Sequence, residues 1–189
     1  MRIVAGKHKG RLLESPDGQD IRPTSDRVRE SVFNILEHRD WGQGGISVIN
    51  GARILDGFCG TGALGLEALS RGGSHVTFMD KNSSALSLCR RNLDSLGERA
   101  AAVVLQGDCL KPASPAAPCG LVLLDPPYKT GFVGPALGAL RDAGWLTPGA
   151  ICAVESEVGG DPEFPKGFEK LDVRTYGAAR VHFMRYQHP

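Results

Sequence analysis

Asp56-Gly57-Phe58-Cys59-Gly60-Thr61-Gly62-Ala63-Leu64-Gly65 decides how this chain folds. It follows a short apolar stretch, Ile54-Leu55, and opens a helix predicted from Ala63 to about Ser70. Gly60, Gly62 and Gly65 satisfy the spacing Gly-x-Gly-x-x-Gly in its strand–turn–helix context. Glycines let a backbone turn tightly and approach a ligand closely. Asp80 stands twenty residues past Gly60, at the end of a second apolar stretch from His75 to Met79. An acid there accepts hydrogen bonds from ribose hydroxyls. The stretch therefore predicts a nucleotide-like ligand held at one edge of a parallel sheet.

Outward from this loop the chain keeps a strand–helix rhythm. A helix is predicted from about Ser83 to Leu96, a third strand over Ala102 to Leu105, and a loop from Lys111 to Cys119. Leu121 to Leu124 reads as a fourth strand, Pro135 to Ala143 as a helix, and Ala150 to Val154 as a fifth strand. Leu171 to Thr175 and Val181 to Tyr186 read as a terminal strand pair. Such alternation predicts an α/β fold, mostly parallel, with helices on both faces of the sheet. Upstream, Ile3-Val4-Ala5 and Arg11-Leu12-Leu13 flank two glycines as a short hairpin. Thr24 is placed to cap a helix running to about His38, with Val28, Val32, Ile35 and Leu36 on its apolar face. Gly42 to Gly51 reads as a connector. Two units follow: a hairpin-and-helix extension over 1–50 that packs on the main domain, and the main domain over 51–189.

Two ligands suit the glycine turn, a dinucleotide such as NAD or S-adenosylmethionine. Asp56 argues for the second. Its charge can meet a cationic amino-acid end and would repel a pyrophosphate. Asp108, after the third strand, is placed to accept an adenine amino group, or equally to serve as a surface turn residue.

Leu121-Val122-Leu123-Leu124 runs straight into Asp125-Pro126-Pro127-Tyr128. The apolar run reads as a strand buried on both faces. The prolines end it, since proline offers no N–H to a ladder and keeps the residue before it out of helical geometry. The Asp125 carboxylate and the Pro126 carbonyl are then acceptors without neighbouring donors. Such a pair can grip an exocyclic amine while Tyr128 stacks on the ring that bears it. The same four residues can also be a plain turn.

Composition bounds the rest. With 189 residues, 41% of them hydrophobic, the chain suits one globular domain. No apolar run approaches the roughly 20 residues needed to span a bilayer, and the first residues lack a signal-peptide core. A cytoplasmic protein is expected. The five cysteines are scattered with no Cys-x-x-Cys pair, so they read as buried hydrophobes, with no metal expected. Net charge is +1, but residues 1–11 carry Arg2, Lys7, Lys9 and Arg11 with no acid. Residues 173–189 carry Arg174, Arg180 and Arg185, again with no acid. Both ends are candidates for a phosphate-binding surface or for ordinary solvated surface. Arg27 and Arg29 are placed either for phosphates or for intrahelical pairs.

Taken together, these motifs resemble the bacterial small-subunit ribosomal RNA guanine-N2 methyltransferase family (RsmD-type). The resemblance lies in Arg2-Ile-Val-Ala-Gly-Lys-x-Lys-Gly-Arg11, Arg22-Pro-Thr-Ser-Asp-Arg-Val-Arg-Glu30, Phe33-Asn34, the glycine loop through Arg71, and Asp125-Pro-Pro-Tyr128. It implies a Rossmann-like class I S-adenosylmethionine-dependent methyltransferase: a mostly parallel seven-stranded sheet with an antiparallel C-terminal strand and a small N-terminal extension. It implies methyl transfer to the N2 amine of a guanine in 16S rRNA, in a partly assembled small subunit, by a monomer. Donor contacts are implied for Asp56, Phe58, Gly60, Thr61, Gly62, Asp80 and Asp108, with Thr24 from the N-terminal motif. Catalytic roles are implied for Asp125, Pro126, Pro127 and Tyr128, and RNA contacts for Arg2, Lys7, Lys9, Arg11, Arg22 and Arg27. Where the family often has Ala-Gly-Ser-Gly this chain has Cys59-Gly60-Thr61-Gly62, and Asp80 replaces a frequent, longer Glu. Another amino methyltransferase, acting on DNA adenine or cytosine or on a glutamine side chain, is the alternative the tetrapeptide leaves open.

Overall fold

Strands form where β-branched and aliphatic runs are long enough to be covered on both faces, and helices where apolar residues recur on one stripe. The computed structural model describes residues 1–15, 26–42, 44–128, 130–160 and 162–187. Its strands are β1 (Arg53–Gly57), β2 (His75–Asp80), β3 (Ala102–Gln106), β4 (Cys119–Leu124), β5 (Leu146–Glu157), β6 (Phe168–Tyr176) and β7 (Ala179–Tyr186). Its helices are α1 (Asp26–His38), α2 (Ala63–Ser70), α3 (Ser83–Leu96) and α4 (Val133–Asp142).

The strands make one seven-stranded sheet in the order β3-β2-β1-β4-β5-β7-β6. β1 to β5 pair in parallel, and β7 runs antiparallel to both β5 and β6. The expected sheet, with its antiparallel C-terminal strand, is the one observed. Leu121 and Leu123 point into a core shared with α1, α2 and α3, while Val122 and Leu124 point into a second core under α4. That division explains the unbroken apolar run of β4. All five cysteines are buried and free, as expected of small hydrophobes.

Several boundaries differ from the sequence reading: β1, β4, β6 and β7 each run one to three residues longer at an end, and the starts of β5 and α4 have a physical reason. β5 starts at Leu146 rather than Ala150, because its pairing with β4 shifts register between Cys119 and Leu121 and so takes Pro148 and Gly149 into the strand. α4 starts at Val133, which places Pro135 in the first turn, where a missing N–H costs nothing. The cap proposed at Thr24 lies outside the described residues.

The N-terminal hairpin is reduced to one bridge, Arg2 with Leu12, closed around a 3-10 turn at Gly6–His8. It docks through a buried polar network. Glu67 on α2 accepts the N–H groups of Val4 (2.9 Å) and Ala5 (3.0 Å) and the Arg71 guanidinium (2.9 Å). Arg29 lies 3.6 Å from the same carboxylate and also pairs with Asp26 at 2.9 Å. Ser70 accepts the His8 N–H at 3.0 Å and donates to the Ala5 carbonyl at 2.6 Å. Of the two readings open for Arg29, the intrahelical pair is the one observed, on a fully buried side chain.

Candidate active site

Parallel strands deliver their carboxyl ends to one edge, and here five neighbours each bring an acid there. In sheet order these are Asp108 after β3, Asp80 on β2, Asp56 on β1, Asp125 after β4 and Glu155 on β5. This is the edge at which open α/β sheets bind ligands.

The glycine loop is held by two of these acids. The Gly60 N–H donates to Asp80 Oδ2 at 2.9 Å, and the Gly65 N–H donates to Asp56 Oδ2 at 2.8 Å. A third tie comes from fully buried Asn92 on α3, which donates to the Thr61 carbonyl at 3.1 Å and accepts the Glu14 N–H at 2.7 Å. At Gly65 a methyl group would stand 2.4 Å from Phe78 Cε1, so only glycine lets α2 lie this close to β2. Gly60 is the opposite case. It has φ +52 and faces open space, with no heavy atom within 4 Å of where a side chain would begin. Phe58, with φ +56, is the one non-glycine residue in the left-handed region among the described residues. Such a conformation costs on the order of 1–3 kcal/mol and clusters at ligand sites. Its ring stacks on Phe132 at 6.4 Å.

The acids differ in environment. Asp56 is only 1% exposed and lies under the loop whose Gly65 N–H it accepts. Burial pushes its carboxyl well above the usual carboxylate range; the Gly65 N–H works the other way, and the charges of Asp125 and Asp80 add to the rise. That influence places Asp56, Asp80 and Asp125 within electrostatic reach of one another. Asp80 uses its second oxygen on the Asn82 N–H at 2.9 Å. At Asp108, partial burial works against the charge, but Lys81 at 2.9 Å and the Leu110 N–H hold the carboxyl below its usual range.

Asp125 is half-buried, Pro126 buried, and Pro127 and Tyr128 exposed. Beyond them opens a cleft of about 520 Å³ walled by Pro126, Pro127, Tyr128, Phe132, Glu155 and Ser156. Tyr128 leaves 39% of its surface exposed and donates its hydroxyl to Glu155 Oε1 at 2.5 Å. Phe132 joins the two halves, lining the cleft while stacking on Phe58 of the glycine loop. Glu155 and Phe132 are not among the residues singled out from the sequence. An acid one residue past a predicted strand was the available signal for Glu155. For Phe132 there was none.

The N-terminal cations are less bare than their sequence suggests. Arg2 lies 3.6 Å from Asp26, Lys7 2.7 Å from Glu98, and Arg11 donates to the Ser95 carbonyl at 2.6 Å. Arg2 and Lys7 keep more than half of their side chains exposed, and Lys9 and Arg27 are exposed. At the other end Arg174 pairs with Asp172 and Arg185 with Glu169. Thr24 and Arg22 lie outside the described residues.

Over residues 1–185 the chain matches the model of a family described as conserved hypothetical protein 95. Ribosomal RNA small subunit methyltransferase D of Escherichia coli K12 is 39% identical over 188 residues, covering 99% of this chain and 89% of that protein. The protein of the same name from Haemophilus influenzae is 34% identical over 191 residues, covering 99% and 93%. The solved structure of yhhF from Escherichia coli superposes with a TM-score of 0.81 at 33% identity, covering 99% of this chain and 98% of that one. The match takes in the hairpin, the glycine loop and Asp125–Tyr128 alike, and the chain belongs to the conserved hypothetical protein 95 family as a methyltransferase.

Proposed function

We propose that this protein moves a methyl group from S-adenosylmethionine to the exocyclic N2 amine of a guanine in 16S rRNA, within a partly assembled small subunit. The observation that carries this reading is the place of Asp125 and Pro126. They close β4 beside Asp56 on β1, and Pro126, with Pro127 and Tyr128 after it, lines the cleft beyond. The names of the two relatives support small-subunit rRNA as the substrate class.

The open space above Gly60, the turned-out Phe58 and the strand-end acids fit S-adenosylmethionine. Asp80 would take the ribose hydroxyls, Asp108 the adenine amine, and Asp56 would act on the cationic amino-acid end through the loop it braces. Thr61, Gly62 and Thr24 would complete the contacts. When bound, the donor supplies an electrophilic methyl carbon. The protein supplies orientation. A guanine amine is a poor nucleophile because its lone pair is delocalised into the ring. Asp125 and the Pro126 carbonyl accept its two hydrogens and aim that lone pair. Orientation of this kind is worth about 7–11 kcal/mol at best. Pro127 keeps the turn rigid, and the surplus proton passes to Asp125 or to water. The base must leave its stack to enter, and stacking on Tyr128 returns about 1–3 kcal/mol. Arg2, Lys7, Lys9, Arg11, Arg22 and Arg27 would hold the phosphates. Surface ion pairs such as Arg2–Asp26 are weak, so a phosphate can displace them. No helix among the described residues is long and apolar enough to cross a membrane. The proposed setting is the cytoplasm and the working form a monomer.

Incubation with labelled donor and, in parallel, naked rRNA, small-subunit particles, DNA or protein tests this. Label is expected in particle rRNA, recovered as N2-methylguanosine. Label in DNA alone, or on a glutamine side chain, would end the assignment.

The buried acid yields a further expectation. Because Asp56 binds its proton more tightly folded than unfolded, it costs stability as pH rises from the ordinary carboxylate range toward its folded pKa. Asp56→Asn should therefore raise the melting temperature at neutral pH without donor, since the amide oxygen still accepts the Gly65 N–H. The wild-type donor affinity should climb with pH through that window, as ionisation favours a cationic ligand. The variant should bind about tenfold more weakly and lose the pH dependence, as calorimetry across pH would show.

A further inference from the structure

We infer that Glu155 selects the target base, accepting the N1–H of guanine beside the amine held at Asp125 and fixing Tyr128 for stacking. This rests on the guanine reading proposed above. β4 and β5 pair in parallel, with Leu124 opposite Val154, so Asp125 and Glu155 are the next residues on adjacent strands. Glu155 is only 8% exposed yet lines the cleft. Its Oε1 takes the Tyr128 hydroxyl at 2.5 Å. A carboxylate has about four acceptor positions, so it can hold a hydroxyl and further donors at once.

The chemistry of the bases does the sorting. On guanine the amine lies between N1, which carries a hydrogen, and bare N3, with the N1 side placed toward Glu155. On adenine and cytosine the ring nitrogen next to the amine is a bare acceptor. With the amine at Asp125 and Pro126, that neighbouring atom faces the adjoining strand, where Glu155 stands. An ionised carboxylate only accepts. It therefore pairs with guanine and sets lone pair against lone pair with the other two. Among the described residues the cleft wall also holds Glu157 and Glu163. A tyrosine tethered to the Glu155 carboxylate presents its ring in one orientation, so reading and stacking are set by a single side chain.

The test replaces the methylated guanine in reconstituted small-subunit particles with 2-aminopurine, which keeps the 2-amine but has a bare N1. Wild-type enzyme is expected to prefer guanine by at least about a hundredfold in kcat/KM, below the ceiling of about 10⁴–10⁵ for a site built around a polar partner that the analogue lacks. In Glu155→Gln the amide can turn its N–H toward a bare N1, and the preference should fall below about tenfold. Donor binding should stay unchanged. Tyr128→Phe keeps the carboxylate, so the preference should persist while KM rises severalfold. An unchanged preference in Glu155→Gln overturns the inference. So does equal turnover of both bases by the wild type, whatever the variants do, or a preference lost in Tyr128→Phe alone. A wild-type product other than N2-methylguanosine is a different failure, visible before any variant is made, and it removes the functional reading itself.

Discussion

Asp125→Ala is expected to bind S-adenosylmethionine within about threefold of the wild type and to transfer methyl groups at least about a thousandfold more slowly in single turnover. The split follows from where the bonds run. The glycine loop is held by Asp80 at the Gly60 N–H, Asp56 at the Gly65 N–H and Asn92 at the Thr61 carbonyl. The donor side therefore keeps its shape. One change on that side is expected: the Asp125 charge contributes to the raised Asp56 carboxyl, so its removal should let Asp56 ionise at lower pH. The acceptor side loses half of the pair that positions the amine, and an unaimed, delocalised lone pair rarely meets the methyl carbon. Asp125→Asn keeps one acceptor and should fall between wild type and alanine. Unchanged single-turnover rates in the alanine variant would remove Asp125 from the mechanism.

Glu67→Ala should have the largest effect on stability. The carboxylate is fully buried and is the shared partner of two backbone amides and two guanidiniums, those of Arg29 and Arg71. Breaking a buried pair by removing one member costs about 3–5 kcal/mol, because the charge left behind is uncompensated. Against a typical 5–15 kcal/mol for a whole domain this is a large fraction, and at this chain length it lowers the melting temperature by on the order of 10 °C. The loss should start at the hairpin. Hydrogen exchange at the Val4 and Ala5 amides is expected to speed up well before exchange in β1 or β4. Exchange that rises evenly through the sheet instead would mean that Glu67 supports α2 and not the docked hairpin. Glu37→Ala, which removes only a half-exposed partner of Arg71, should cost far less.

These expectations draw on two kinds of information. Helix α2 over Ala63–Ser70 and helix α3 over Ser83–Leu96 run as read from the sequence. Their signals are local: a glycine turn before one, and the Asn82 cap and Gly97 stop around the other. The sequence reading starts β5 at Ala150, just after Pro148 and Gly149. Only pairing with β4 recruits the residues before them. Tyr128 was legible as an aromatic at a strand end, but its tether to Glu155 spans 27 residues and two strands. Asp56 was legible as an acid before a glycine turn, yet its depth under the loop depends on α2 folding back over β1.

Hydrophobic period, glycine spacing and paired prolines were enough to set the element order, a mostly parallel sheet and four of the five strand-end acids, while the seven strands and the antiparallel end were implied by the family resemblance. These are restraints between residues close along the chain, so they can be read without coordinates. Partners distant in sequence were not readable this way: Glu67 meets Val4 across 63 residues and Ser31 meets Tyr176 across 145. Which buried charge answers which, how far the basic arms are already engaged, and what lines the base cleft are outcomes of packing, because burial and register bring those groups together only once the whole sheet has closed.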